Sequence, residues 1–195
     1  MSTIYTLNSK VLKNTANDKW LIKKPVLPAD EVQIGNQIWK NKNLAIDDGQ
    51  GGILTRSISY DGDQTFVTEY YYNLLAAQRI ANSISGWHLP TLSEIETLIS
   101  TIGGTTGGAT KLKATYSWGE RYNGTDDYGF TALKTGNNYR NNLWQSISFS
   151  IWTATLDPNN SSKAYMLQLT TGADITTIKS IDISNYYISV RLIKD

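Results

Sequence analysis

Gly86-Trp87-His88-Leu89-Pro90, continued by Thr91-Leu92-Ser93-Glu94-Ile95, is the stretch on which the fold reading turns. Proline holds Leu89 out of the helical region, so this segment arrives extended. Thr91 can then cap a helix, and Glu94, three residues on, can bond back to it as a capping box. Leu92, Ile95, Leu98, Ile99 and Ile102 recur at helical spacing. Gly103-Gly104 closes the run, as a left-handed cap would. The spacing predicts a buried strand feeding an amphipathic helix of about three turns. The helix should begin within a residue or two of Leu92 and end near Gly103, with Trp87 and Leu89 buried beneath it.

Further segments follow the same logic in order along the chain. Ile34-Gly-Asn-Gln-Ile-Trp39, running on to Leu44, is similar to the opening "IGxQxWxxxNL" of the Fibrobacter succinogenes major paralogous domain. Tyr71-Tyr-Asn-Leu-Leu-Ala-Ala77 resembles that family's aromatic lead into a first helix, and Gly86–Pro90 its "GWHLP" block. Lys111–Thr115 with Trp118, and Asn123–Phe130, are similar to its middle. Ile151–Thr155 resembles its "WTAT" strand, and Ser189–Asp195 its closing "SVRCVKD". The resemblance covers residues 32–195. It implies an α+β, C-type-lectin-like fold with two helices and short antiparallel sheets. It implies little about function, because such a fold hosts many unrelated sites.

The departures from the pattern carry information. Members commonly place a cysteine shortly before "GWHLP" and another in the last strand. Here Ser83 and Leu192 stand there, and the chain has no cysteine. Disulfides, thiolate nucleophiles, Cys-type zinc sites and a cysteine-borne lipid anchor are excluded. So is the cysteine chemistry of sulfatase-activating oxidases, which share the broad fold. Residues 1–24 lack the apolar core of a signal peptide, and no run approaches membrane-spanning length. The expectation is cytoplasmic synthesis, with release by cell lysis inside a virus particle.

A chain of 195 residues holds one good core plus a small appendage. Its formal net charge is +1, so no global field draws it to nucleic acid or to an anionic membrane. Six tryptophans and twelve tyrosines against three phenylalanines favour side chains with an apolar body and a polar handle. Trp39, Trp87 and Trp152 lie in strand-like segments and read as packing.

Residues 1–24 read as a separate β-type element. Thr3–Leu7 and Lys10–Lys13 flank a turn at Asn8-Ser9, and Lys19–Ile22 supplies a third short run. Three small strands are marginal alone, which suggests attachment to a partner. Residues 25–31 form a linker, and residues 32–195 the main domain. That domain opens with a hairpin of Val32–Ile34 and Gln37–Trp39 about Gly35-Asn36. Asp47–Gly52 reads as a flexible loop. A first helix is expected from Asn73 through Ile84. Strands are expected near Phe130–Leu133, Ser150–Ala154, Tyr165–Leu169, Ile178–Ile183 and Ile188–Ile193.

Few residues suggest chemistry. His88 is the only histidine, so any Ser-His-Asp triad would need it. Its place inside a packing block favours a structural role. Asp126 and Asp127 offer oxygen ligands to calcium, but Asp and Asn beside Gly are also what a tight turn needs. The calcium-lectin signatures are missing, and Asp157-Pro-Asn159 reads as a turn. No metal and no cofactor is expected. Gly103-Gly104 and Gly107-Gly108 follow a helix C-terminus, whose dipole repels phosphate.

The stretch from Gly136 to Ser162 differs in composition. Tyr139, Arg140, Asn142 and Trp144, with Asn159 and Asn160, combine adaptable polar groups with aromatic and arginine anchors, the mixture found in binding loops. These six are the expected ligand-binding residues. The functional expectation is a non-enzymatic binding or display module of a bacteriophage virion or fibre. It would attach to virion or fibre proteins through residues 1–24, recognise a host-surface glycan or protein, and form a homo-oligomer. Nucleic acid and membrane insertion are not expected. The alternative is a structural decoration or scaffold protein with no external ligand.

Overall fold

The computed structural model describes residues 27–59, 66–139 and 147–195, together with the backbone alone of residues 12–13, 20–21 and 142–144. Its two longer helices stand where the caps place them. The Asn73 side chain accepts the Ala76 amide and opens α1, Leu74–Ala81. Thr91 opens α2, Leu92–Thr101, through the expected capping box: Thr91 accepts the Glu94 amide at 3.2 Å, and Glu94 accepts the Thr91 amide at 2.7 Å. Ile95, Leu98 and Ile99 face the core. At the far end Gly103 and Gly104 adopt φ of +110° and +99°. Their amides return to Ser100 O and Ile99 O at 3.2 and 2.8 Å. That is a Schellman motif, which needs residues free to take positive φ.

α1 stops at Ala81, short of the expected Ile84. The Ser83 hydroxyl takes the Ile80 carbonyl at 2.7 Å, and the chain leaves the helix in tight turns. Side-chain bonding of this kind competes with helical propagation. A third, four-residue helix, α3 (Ala109–Leu112), was not expected.

The strands form antiparallel sheets. In the N-terminal appendage β1, Leu12–Lys13, pairs with β2, Trp20–Leu21. These match two of the three short runs read there; Thr3–Leu7 and the Asn8-Ser9 turn lie outside the described residues. β3, Glu31–Ile34, turns through Gly35 (φ +60°) into β4, Gln37–Lys40, as expected. β5, Ile53–Ile58, pairs with β6, Val67–Tyr72, a hairpin not anticipated from the sequence. β7, Trp87–His88, lies beside the last strand, β14, Ile193–Lys194, giving the order β3-β4-β14-β7. The first and last strands of the main domain therefore share one sheet.

β8, Asn137–Tyr139, and β9, Asn142–Trp144, form a hairpin that also pairs with β13, Tyr186–Tyr187. The largest ladder is the meander β10 (Ser148–Asp157), β11 (Asn160–Thr170) and β12 (Thr176–Asp182). It is longer than the expected strands because β10 and β11 run on, through register shifts between Trp152 and Asp157, to a tight Pro158-Asn159 turn.

Two expected strands are shorter or absent. Phe130–Leu133 supplies one bridge, Ala132 to Lys113, because the Asp126 carboxylate takes both the amide and the hydroxyl of Thr131 and holds it at φ +52°. Ile188–Ile193 is likewise reduced to isolated bridges at Ile188 and Ser189 before β14. Nor is the Asp47–Gly52 loop loose at its base. Arg79 of α1 binds both oxygens of Asp48, at 2.6 and 2.9 Å, and the Gly51 carbonyl at 2.9 Å. The Arg79 hydrogen bond holds the Asp48 carboxyl down at about 2.

Two apolar clusters make the core. One joins α2 and α3 to Trp39, Phe130, Phe149 and Leu167. The other joins α1 to Tyr72, Trp152, Met166 and Val190. Trp39 and Trp152 have no exposed surface, as the packing reading requires. Trp152 also donates its indole N–H to the Tyr72 carbonyl at 2.7 Å, so its polar handle is satisfied as well. Leu89 is buried, but the expectation for Trp87 fails. Its ring is half-buried, with the Lys40 ammonium 4.1 Å from its centroid and that of Lys194 5.4 Å away. The negative face of the indole attracts the two ammonium groups, so this tryptophan packs beneath charge at the surface. Arg191, 1 % exposed, packs on the first cluster: its guanidinium reaches Asn43 Oδ1 and the carbonyl of Phe130, and lies over the Phe130 and Phe149 rings.

Candidate functional site

Of the expected chemical groups, His88 is the most firmly placed. Its Nδ1 lies 2.7 Å from Asp195 and its Nε2 2.9 Å from Glu94. Both nitrogens are thus engaged by carboxylates, and neither is available to activate a serine hydroxyl. Partial burial works against the imidazolium, but the hydrogen bonds from Glu94 and Asp195 outweigh it and raise the pKa. The ring ties β7, β14 and the start of α2 together. Asp126 closes the turn to Thr131, and Asp127 is exposed. Among the described residues no three His, Cys, Asp or Glu side chains gather as a metal site would need.

The expected binding residues fall on two sheets. Asn159 and Asn160 form the exposed tip between β10 and β11, where Asp157 accepts the Asn159 amide and Asn160 accepts the Ser162 amide. Tyr139 ends β8, in the other sheet, with its ring centroid 4.8 Å from that of Tyr186. Arg140 and the side chains of Asn142 and Trp144 lie outside the described residues. The structure thus does not gather the six into one described patch.

It does form a cleft beside Tyr139 that the sequence did not reveal. The meander presents one face on which Met166 and Gln168 of β11 stand beside Lys179 and Ile181 of β12 and Ser148 of β10. Residues two apart, and residues directly paired across strands, point the same way. The opposing sheet presents Asn137 and Tyr186, and Tyr139 shares their face. Between the two sheets lies an open cleft of about 180 Å³, with Ile147 at its edge.

Its polar lining is partly organised. Lys179 donates to Gln168 Oε1 at 2.7 Å, and the Gln168 amide reaches Ser150 Oγ at 3.4 Å. Gln168 is 7 % exposed, so a buried amide steers an exposed ammonium. An ammonium has three donors, and among the described residues Lys179 has no other hydrogen bond and no carboxylate partner. Sequence composition had pointed to the polar loops. The cleft residues sit instead at ordinary strand positions, where only the register brings them together.

Behind this face the hairpin contains a local conflict. Asn138 is fully buried, flanked in register by Leu143 and Tyr187. Neither its amide nitrogen nor its carbonyl oxygen has a hydrogen-bond partner. An unsatisfied buried polar group costs about 1–3 kcal/mol, so stability alone does not select it.

Among the described residues no helix is long and apolar enough to cross a membrane. Comparison with curated proteins and with solved structures gave no match. The model of the Fibrobacter succinogenes major domain matches residues 32–194, and the chain belongs to that family.

Proposed function

We propose that the protein is a non-enzymatic binding module whose contact surface is the β8–β9 hairpin with its adjoining cleft. The carrying observation is the open cleft between two sheets, lined by Tyr186, whose ring lies against Tyr139, and supplied with a steered ammonium. Concave sites with a few convergent polar groups are where ligands bind. The engagement of both His88 nitrogens by carboxylates supports the non-enzymatic reading. Helices followed by antiparallel strands, with the first and last strands of the main domain in one sheet, support a C-type-lectin-like architecture.

In this reading the module is displayed on a bacteriophage virion or fibre and recognises a host-surface glycan or protein. Residues 1–24 attach it to virion or fibre proteins, and copies assemble into a homo-oligomer. The test is binding to host cells and to arrayed glycans by the intact protein and by a variant with Tyr139, Arg140 and Trp144 replaced by alanine. The variant should lose binding, with anchor losses of about 2 kcal/mol or more each. Unchanged binding removes the hairpin from the contact surface. No binding by the intact protein, with incorporation into particles retained, favours a decoration role. Deleting residues 1–24 should abolish incorporation while the remaining domain stays folded.

A further inference from the structure

We propose that the cleft takes one carboxylated sugar residue of the uronic-acid type, with its carboxylate on Lys179 and its ring against Tyr186. This rests on the binding-module reading and names the ligand for it. Size comes first. At about 180 Å³ the cleft admits a single small ring, well below the roughly 300–1,000 Å³ of drug-sized sites.

Charge comes next. Lys179 is the cleft's one charged lining residue, and Gln168 fixes it from the buried side with a 2.7 Å bond. Among the described residues no carboxylate takes the remaining donors of the ammonium, which leaves them for an incoming anion. One point charge matches one carboxylate. A phosphate dianion would leave one negative charge uncompensated by a single lysine.

The remaining walls match a polyol ring. The Asn137 amide and the Ser148 hydroxyl can donate and accept, as sugar hydroxyls require. Tyr186, Met166 and Ile181 offer an apolar surface to the C–H face of a ring. A small aliphatic carboxylate would leave the amide and hydroxyl unmatched. A neutral sugar would leave the ammonium unmatched.

Titration of the full-length protein with sodium glucuronate, followed by amide NMR shifts, tests the assignment. Glucose, acetate and an N-acetylated dipeptide serve as comparison ligands. Glucuronate should shift the resonances of Gln168, Lys179 and Tyr186, and should bind at least tenfold tighter than glucose or acetate. Lys179→Gln should reduce glucuronate binding at least tenfold, toward the level of glucose, with the melting temperature lowered only by the loss of the bond to Gln168. Raising the salt concentration should weaken glucuronate binding and leave glucose binding unaffected.

Equal binding of glucose and glucuronate, or a Lys179→Gln variant that binds normally, overturns the carboxylate. Equal binding of the dipeptide overturns the sugar. Shifts confined to residues outside the cleft overturn the location. In each of these cases host-surface binding that is lost in the hairpin variant leaves the broader reading standing. Glucuronate binding in the cleft without any host-surface binding has the reverse meaning.

Discussion

Residues 86–104 and residues 136–150 teach opposite lessons. In the first stretch every local preference agrees with the fold. Thr91 and Glu94 cap α2, Gly103 and Gly104 close it, and His88 is held by carboxylates from two elements. In the second, Asn138 is buried without a partner, and the strand beside it lines an open cleft. A sequence under selection for folding alone satisfies its buried groups. Asn41 and Thr171 each leave one buried atom unpartnered, but Asn138 leaves both of its polar atoms so, and local conflict of that kind is the pattern of a region shaped for something besides stability.

The comparison can be broken most forcefully in the core. Trp152→Ala removes a fully buried indole and its bond to the Tyr72 carbonyl. The Tyr72 carbonyl keeps the Ile188 amide, so the cost is mainly that of the cavity, about 3–5 kcal/mol, read as a lower denaturation midpoint. Trp87→Ala should cost clearly less, about 1–2 kcal/mol, because its half-buried ring gives up less surface and a cation contact. Equal losses at the two positions would return Trp87 to the core.

The hairpin should respond with the opposite sign. Asn138→Leu replaces an unpartnered buried amide between Leu143 and Tyr187. It should raise stability by about 1–2 kcal/mol. A loss of similar size would mean that the amide is satisfied, and the contrast between the two regions would disappear. Thr91→Ala should lower stability by about 1 kcal/mol through the lost cap.

The smallest expected effect is that of pH. The folded pKa of His88 is raised above 6.5. Between 6.5 and that higher value the native state holds a proton that the unfolded state has released, so stability falls as pH rises through this window. Glu94, with a folded pKa lowered by the Thr91 amide and by His88 despite partial burial, gives the reverse dependence in acid. Asp195 is the other carboxylate on the imidazole, and Lys194 lies next to it in the chain. Thermal melts of His88→Gln should lose the neutral-range slope. A slope that persists would place it on another group.

These contrasts explain what the sequence made legible. α2 and its caps, the β3–β4 hairpin and the meander follow from short-range rules, because each is specified within a few residues of itself. The α1 terminus was missed because Ser83 takes a helical carbonyl, a competition that periodicity does not register. The strand at Phe130–Leu133 failed because Asp126 folds back on Thr131. The cleft escaped for a different reason. Lys179, Gln168 and Asn137 are unremarkable where they stand, and only the register of β11 on β12, with β8 opposite, makes them neighbours. Of the loop residues singled out by composition, Tyr139 ends β8 against Tyr186, while Asn159 and Asn160 form a tight turn on the other sheet, a separation that composition does not register.

The central claim is that one region holds the fold and the other makes contact. Thr91→Ala and Tyr139→Ala, measured side by side for melting temperature and for host-surface binding, test it most directly. The account predicts that Thr91→Ala lowers the melting temperature and leaves binding intact. Tyr139→Ala should lose binding, with stability falling only by the value of its contact with Tyr186, about 0.5–1.5 kcal/mol. A Tyr139→Ala protein that melts several kcal/mol lower yet binds like the parent would contradict it.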